Sequence, residues 1–367
     1  MKSRILSLLS LFPLLIACNP EEYSPVVKDG YEINPPVYFG DYQERIPNDN
    51  PITKNGFALG RKLFYETALS ADNSISCGTC HQQELAFTDG KAVSEGVEGK
   101  LGKVSAMSLS NLLWTENFTW TGKFNRLTDQ SLDPIKNPVE MHLPLEQAVE
   151  KLEEQGYATD FQKAFGSYEI TVERIGKALA QFQRALISSD SRYDQYLRGE
   201  IQASPAELNG MNLFFTHPIP GQLRGANCGD CHLGPLTSGD IDEFQGFHNN
   251  GLDTDETMDS GLMSVTGKPE DKGRFKAPTL RNIAVTAPYM HDGRFKTLKE
   301  VMDHYNSGIK NSKTLDILII EGSNEPVGVH DEIRLHLTEK EKEDVIAFLH
   351  MLTDESFLNN PKFSNPH

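Results

Sequence analysis

Apolar residues recur along much of this chain at the three- and four-residue intervals of a buried helix face, and seldom in the alternation of a strand. Val172, Ile175, Ala178, Leu179, Phe182, Ala185 and Leu186 make the clearest stripe and predict one helix. A second is predicted behind Thr338, where Glu341 completes a capping box and Val345, Ile346, Phe348, Leu349 and Leu352 supply the buried face. Between the helices lie two stretches rich in Gly, Pro, Asn and Asp, Ser70 to Ser110 and Pro218 to Lys276. Loops of that length need a reason. Each follows a short helical segment with a Leu-Phe or Phe-Phe pair, Gly60-Arg61-Lys62-Leu63-Phe64 and Gly210-Met211-Asn212-Leu213-Phe214-Phe215. This weak repetition predicts two copies of one module, with a boundary near residues 190 to 205.

The pattern changes at the amino terminus. Lys2 and Arg4 precede an apolar run, Ile5 to Ile16, too short to span a bilayer but suited to a secretory signal over residues 1–17. Leu15-Ile16-Ala17-Cys18 resembles a bacterial lipobox, so Cys18 is the expected lipidation site and the membrane is reached through that anchor alone. Residues 18–50, rich in Pro, Asn and acidic side chains, read as a flexible tether with no chemistry of its own. The remaining length of a 367-residue chain allows two domains. Lys and Arg number 35 against 52 Asp and Glu; the net charge of -17 disfavours nucleic acid and anionic lipid as partners. Signal removal takes away two further positive charges.

Cysteine usage decides the chemistry. Besides Cys18, the cysteines fall in Cys77-Gly78-Thr79-Cys80-His81 and Cys228-Gly229-Asp230-Cys231-His232, both C-x-x-C-H. In such a motif two thiols bond the haem vinyl groups and the His ligates iron. A redox dithiol or a zinc ribbon would also use paired Cys, but 11 His in 367 residues put His after both pairs by chance only about once in a thousand chains. The fold class is therefore all-α: two cytochrome c-type haem domains with long loops, residues 51–198 and 199–367, each carrying one covalent haem c.

With two haem sites placed, the flanking residues resemble the bacterial dihaem cytochrome c peroxidase family, which includes the MauG-type maturases, from about Asn50 to Asp354. The similarity is carried by Leu59 to Phe64, Phe118 to Met141, Phe275-Lys276-Ala277-Pro278-Thr279-Leu280-Arg281-Asn282 and Pro288-Tyr289-Met290-His291-Asp292-Gly293. It implies a peroxidatic haem on His81 and an electron-transfer haem on His232. Trp120, Gln130 and Glu140, spaced by ten, match the family's Trp, Gln and Glu, with Pro134 between them. Glu140 is the expected acid/base, since a carboxylate can take and return a proton during peroxide cleavage. Gln130 would orient peroxide or water with its amide, and Trp120 would relay electrons between the haems. Trp114 matches no such position and reads as packing.

Two departures alter the picture. Many peroxidases block the first iron with a His about sixteen residues past the haem His; here that place falls near Val97, and no His lies between His81 and His142. The first haem should be open without reductive activation. At the second haem, Asp303-His304-Tyr305-Asn306 aligns with the segment that supplies a Met ligand, and Tyr305 takes its place as in the MauG type. Met302, His304 and Met290 remain competitors. The resemblance also implies one calcium ion on the carbonyls of Thr286 and Pro288, with Ser105 where the family has Asn. His248, Arg281 and His291 belong to family motifs and are expected to shape the haem surroundings; His217, His330, His336, His350 and His367 carry no motif.

The expected function is a peroxidase that reduces hydrogen peroxide to water with electrons from a small donor, a cytochrome c or a cupredoxin. The alternative is a MauG-like oxidase of a protein or small molecule, working through a high-valent haem state. Tyr305 favours the alternative; Ala226, where the maturase has a surface Trp, argues against that particular maturation. A pure electron carrier gains nothing from an open iron. The enzyme is expected in the cell envelope, periplasm-facing or on the outer membrane, and a homodimer stays open.

Overall fold

The computed structural model describes residues 29–239, 246–326 and 332–367. The signal segment, Cys18, the start of the tether and His330 lie outside the described residues. The described chain is mostly helical; its strands are a single antiparallel ladder of Phe247–His248 with Phe275–Lys276, plus isolated bridges.

Two helix pairs organise the core, and each crosses through a glycine. Helix Lys54–Phe64 packs on Val172–Arg184, with Gly60 so close to the Ala178 carbonyl that a Cβ has no room. Helix Pro205–Phe215 packs on Glu339–Met351 in the same way, with Gly210 against the Asp344 carbonyl. The predicted stripe is buried from Ile175 to Leu186, and the Thr338/Glu341 capping box is formed. Replacing Gly210 with Ala should overpack this crossing and cost about 1–3 kcal/mol, seen as a lowered melting temperature; an unchanged melt would show that the helices can separate freely.

Around the first pair lies a cluster including Phe57, Leu63, Phe64, Phe161 and Phe182; around the second, one including Leu213, Phe214, Val345 and Phe348. Chain order is not fully respected. Tyr193 packs in the second cluster, while Phe357, Leu358 and Phe363 return to the first. There the Arg61 Nε donates to the Ser364 carbonyl at 2.6 Å and the Tyr65 hydroxyl to the Phe363 carbonyl at 2.8 Å.

The expectation of a flexible tether gives way over residues 29–50. Tyr31 stacks on Phe57 at 4.3 Å, Phe39 meets Trp114 edge-on at 5.3 Å, and buried Asn50 exchanges hydrogen bonds with Lys177 and Gln181. Each buried ring contributes roughly 1.5–3 kcal/mol, enough to offset the ordering of the few residues around it. The segment is a strap laid across both halves.

Internal repetition is sharper in the backbone than in the sequence. Phe118 bridges Phe124 and Tyr289 bridges Phe295, a displacement of 171 residues. The same displacement pairs the left-handed residues Thr119 with Met290 and Gly122 with Gly293, and the helix starts Leu127 with Leu298.

Candidate haem sites

Each C-x-x-C-H segment forms a short helical turn, Cys77–Cys80 and Cys228–Asp230, and the four thiols make no disulfide. Burial pushes Cys77, Cys228 and Cys231 up to about 12 and raises Cys80 as well. A redox dithiol needs the opposite, a thiol lowered towards neutrality.

The two histidines are prepared alike. His81 Nδ1 lies 2.6 Å from the Phe87 carbonyl, and His232 Nδ1 lies 3.0 Å from that of Pro278. That leaves Nε2 of each ring for a metal, with tautomer and ring plane set by the carbonyl. Burial lowers both imidazole pKa values, His232 to about 4 with help from nearby His248, so both rings are neutral and able to ligate.

Cys228, Cys231, His232, Tyr305, Met290 and Met302 face one largely apolar cavity of ≈ 1540 Å³ of empty space, including its open mouth. Free thiols, a neutral imidazole and an apolar chamber fit a haem c. Tyr305 stands in a π-helical turn, His304–Gly308, which follows helix Leu298–Asp303. π-turns re-aim a side chain within a helix and recur at functional sites. Burial raises the pKa of the Tyr305 hydroxyl, and Asn250 Nδ2 donates to that oxygen at 3.1 Å. Asn250 also reaches the Met290 sulfur at 3.5 Å, and its carbonyl meets His304 Nε2 at 3.0 Å. His304 is thereby engaged away from the cavity wall. Sequence reasoning missed Asn250; its only signal was its place two residues beyond the family-motif His248.

In the first half, Gln130 and Pro134 share helix Leu127–Lys136, one turn apart. Gln130 is half-buried and its side chain makes no hydrogen bond among the described residues. Glu140 follows the helix and is held by Asn137, whose Nδ2 donates to Oε1 at 2.6 Å. Burial raises the Glu140 carboxyl above the ordinary range, Asp133 adds to the rise, and the Asn137 bond opposes it. The Glu140 charge is felt at both Cys77 and Cys80. Val97, where a blocking His is absent, is 2% exposed, and its N–H donates to the Glu140 carbonyl at 2.9 Å. His142 is exposed. The 171-residue register that aligns the two turns puts Pro134 where the second half has Tyr305.

Trp120, Ser105, Thr286 and Pro288 border the same cavity as Cys228, Cys231 and His232, whose lining does not include Gln130 or Glu140. The Trp120 indole N–H donates to the Ser105 carbonyl at 2.9 Å; the Ser105 hydroxyl donates to the Met290 carbonyl at 3.0 Å. Trp120 thus belongs to the seam between the halves. As a calcium site, Ser105, Thr286 and Pro288 offer only neutral oxygens, short of the roughly six to eight that this ion takes. No cluster of three or more His, Cys, Asp or Glu occurs among the described residues.

A family model described as di-haem cytochrome c peroxidase matches residues 54–202. The methylamine utilization protein MauG of Methylorubrum extorquens is 32% identical over 313 residues, 84% of this chain and 81% of that protein. The cytochrome c551 peroxidase of Nitrosomonas europaea is 36% identical over 249 residues, 67% of this chain and 71% of that protein. Among solved structures, a MauG-like protein associated with microbial copper homeostasis is 36% identical, with a TM-score of 0.75 over 91% of this chain and 97% of that one.

Proposed function

The chain belongs to the bacterial dihaem cytochrome c peroxidase and MauG family and is a peroxidase-like oxidoreductase, and from that premise we propose that it reduces hydrogen peroxide to water at an open first haem. Electrons come from a small redox protein, a cytochrome c or a cupredoxin. Cys77, Cys80 and His81 would hold one haem c and Cys228, Cys231 and His232 the other, with Tyr305 in the same cavity as a further ligand for the second. Bound there, the haems supply redox-active iron for cleaving the peroxide bond and for passing electrons.

One observation carries the reading: the first half has Pro134 where the second has Tyr305, a side chain with nothing to give a metal. Pro134 keeps that position open, and Val97 puts an apolar side chain where a blocking His would start. Gln130 orients the incoming peroxide through its amide. Glu140 takes a proton from the nearer oxygen and returns it to the departing one, and its raised pKa suits both transfers. Trp120 connects the two sites through the Ser105 seam. Calcium at Ser105, Thr286 and Pro288 would brace that seam with help from water; no step depends on it. The division at residues 198 and 199, export to the periplasm and a lipid anchor on Cys18 complete the proposal. Among the described residues no helix is long and apolar enough to cross a membrane.

A second reading, oxidation of a protein or small molecule in the MauG manner, is favoured by Tyr305 lining the same cavity as His232. Ala226 is 2% exposed, so no hole leaves through that position as it would through a surface Trp.

Stopped-flow mixing of the fully oxidised protein with peroxide tests the open site. An immediate change in the first-haem spectrum is expected; a reaction that waits for one haem to be reduced would overturn it.

A further inference from the structure

The strap brings three aromatic rings against Trp114, beside the loop that leaves His232. Phe39 and Tyr42 meet buried Trp114 edge-on at 5.3 and 6.4 Å, and Tyr38 continues the series 5.4 Å from Phe39. Tyr38, Phe39 and Trp114 line a small cavity whose other wall is Leu233 to Leu236, the residues that leave His232. Thr279 faces both that cavity and the larger one around Cys228, Cys231 and Tyr305. Thr279 is thus a wall shared by the ring cluster's cavity and the second site.

Two of the rings differ in what oxidation does to their protons. The Trp114 Nε1 is buried with no hydrogen-bond partner among the described residues, so an oxidised indole has no acceptor there for its proton and passes the vacancy on. The Tyr38 hydroxyl donates to Asp194 Oδ1 at 3.0 Å, the oxygen of that carboxylate not engaged by Arg281, and so has an anionic acceptor for its proton while the Arg281 contact is kept on Oδ2. Tyr42 has only the Ile33 carbonyl, at 3.2 Å, a far weaker base.

On the dihaem reading above, we propose that Trp114 and Tyr38 form an outlet for oxidising equivalents, ending in a tyrosyl radical at Tyr38 near the surface. Tyr38 gives up one electron by way of Trp114, and its phenolic proton moves along the hydrogen bond to Asp194. A haem held at the second site and oxidised by peroxide to one electron above its resting state would take that electron, so one group is reduced by one electron, the other is oxidised by one, and no heavy-atom bond forms or breaks. Burial and the Asp194 charge hold the phenol up to about 12, so it is protonated beforehand and the coupled transfer is available at neutral pH. Tyr38 is half-buried in the strap, so the radical would stand where an external reductant or substrate can reach it.

The test is electron paramagnetic resonance of the holoprotein frozen after peroxide addition, with absorption spectra of both haems taken in parallel. A narrow organic radical that changes shape with ring-deuterated tyrosine, persists in Tyr42→Phe and disappears in Tyr38→Phe is expected. In wild type, peptide mapping after trapping with a nitroso compound should place the adduct on Tyr38, with no substitution involved. A signal that survives Tyr38→Phe, an adduct elsewhere, or no radical while the haem spectra respond would overturn the outlet and leave the peroxidase reading standing. Haem spectra indifferent to peroxide would overturn both.

Discussion

Peroxide consumption by Glu140→Gln should be about 10²–10⁴-fold slower than by the wild type, the usual contribution of a positioned acid/base. Gln keeps the shape and can still accept the Asn137 hydrogen bond, but it cannot take a proton at the first oxygen and return it to the second. The pH dependence supplies a second signature. Glu140 must be ionised to begin, and burial raises its pKa, so the wild-type rate should fall with decreasing pH from above the ordinary carboxylate range. The variant should lack that limb. Unfolding can be separated from chemistry by its sign. A carboxyl with a raised folded pKa costs stability once it is ionised, above that value, and the cost vanishes below the unfolded pKa. Gln removes the cost, so the slow variant should melt no lower than wild type at neutral pH. A rate within a few-fold of wild type would take Glu140 out of the mechanism.

The largest stability effect is expected at a buried ion pair. Arg281 and Asp194 are both fully buried and paired at 2.6 Å, with Phe39 and Tyr193 rings 5.0 and 5.5 Å from the guanidinium. Arg281 Nε also donates to the Pro235 carbonyl at 2.9 Å, in the loop that leaves His232. Asp194→Asn should cost about 3–5 kcal/mol, because it strands a buried cation. Changing both residues to apolar ones of similar size should recover part of that loss, the remainder reflecting the Pro235 carbonyl left without its donors. Denaturant midpoints of the single and double variants read this directly; a loss below about 1 kcal/mol for Asp194→Asn would mean that the cation finds water instead.

What sequence could and could not reveal follows from the range of the interactions. The Val172 stripe, the Thr338 box and the C-x-x-C-H turns are local patterns, and each is present in the fold. The strap is not local: Tyr38 meets Asp194 across 156 residues and Asn50 meets Gln181 across 131, so a Pro- and Asn-rich composition hid its aromatic anchors. Tyr305 was legible as a residue, but its π-helical turn was not, since that extra residue per turn answers to packing around Asn250 and Met290. The pairing of Pro134 with Tyr305 was obscured because the two halves space their turns differently from their cysteine motifs.

The return of Phe357 and Phe363 to the first cluster sets an order of events in time. Tyr65 and Phe363 are 298 residues apart, so in a chain exported amino end first the one emerges well before the other. Throughout that interval the first half lacks the segment that caps Gln83, whose amide donates to the Phe357 and Asn360 carbonyls just past His81. The Cys77–Cys80 turn is therefore born uncovered and is closed over only when the end of the second half arrives, a delay in which a bulky prosthetic group can still be seated from that side.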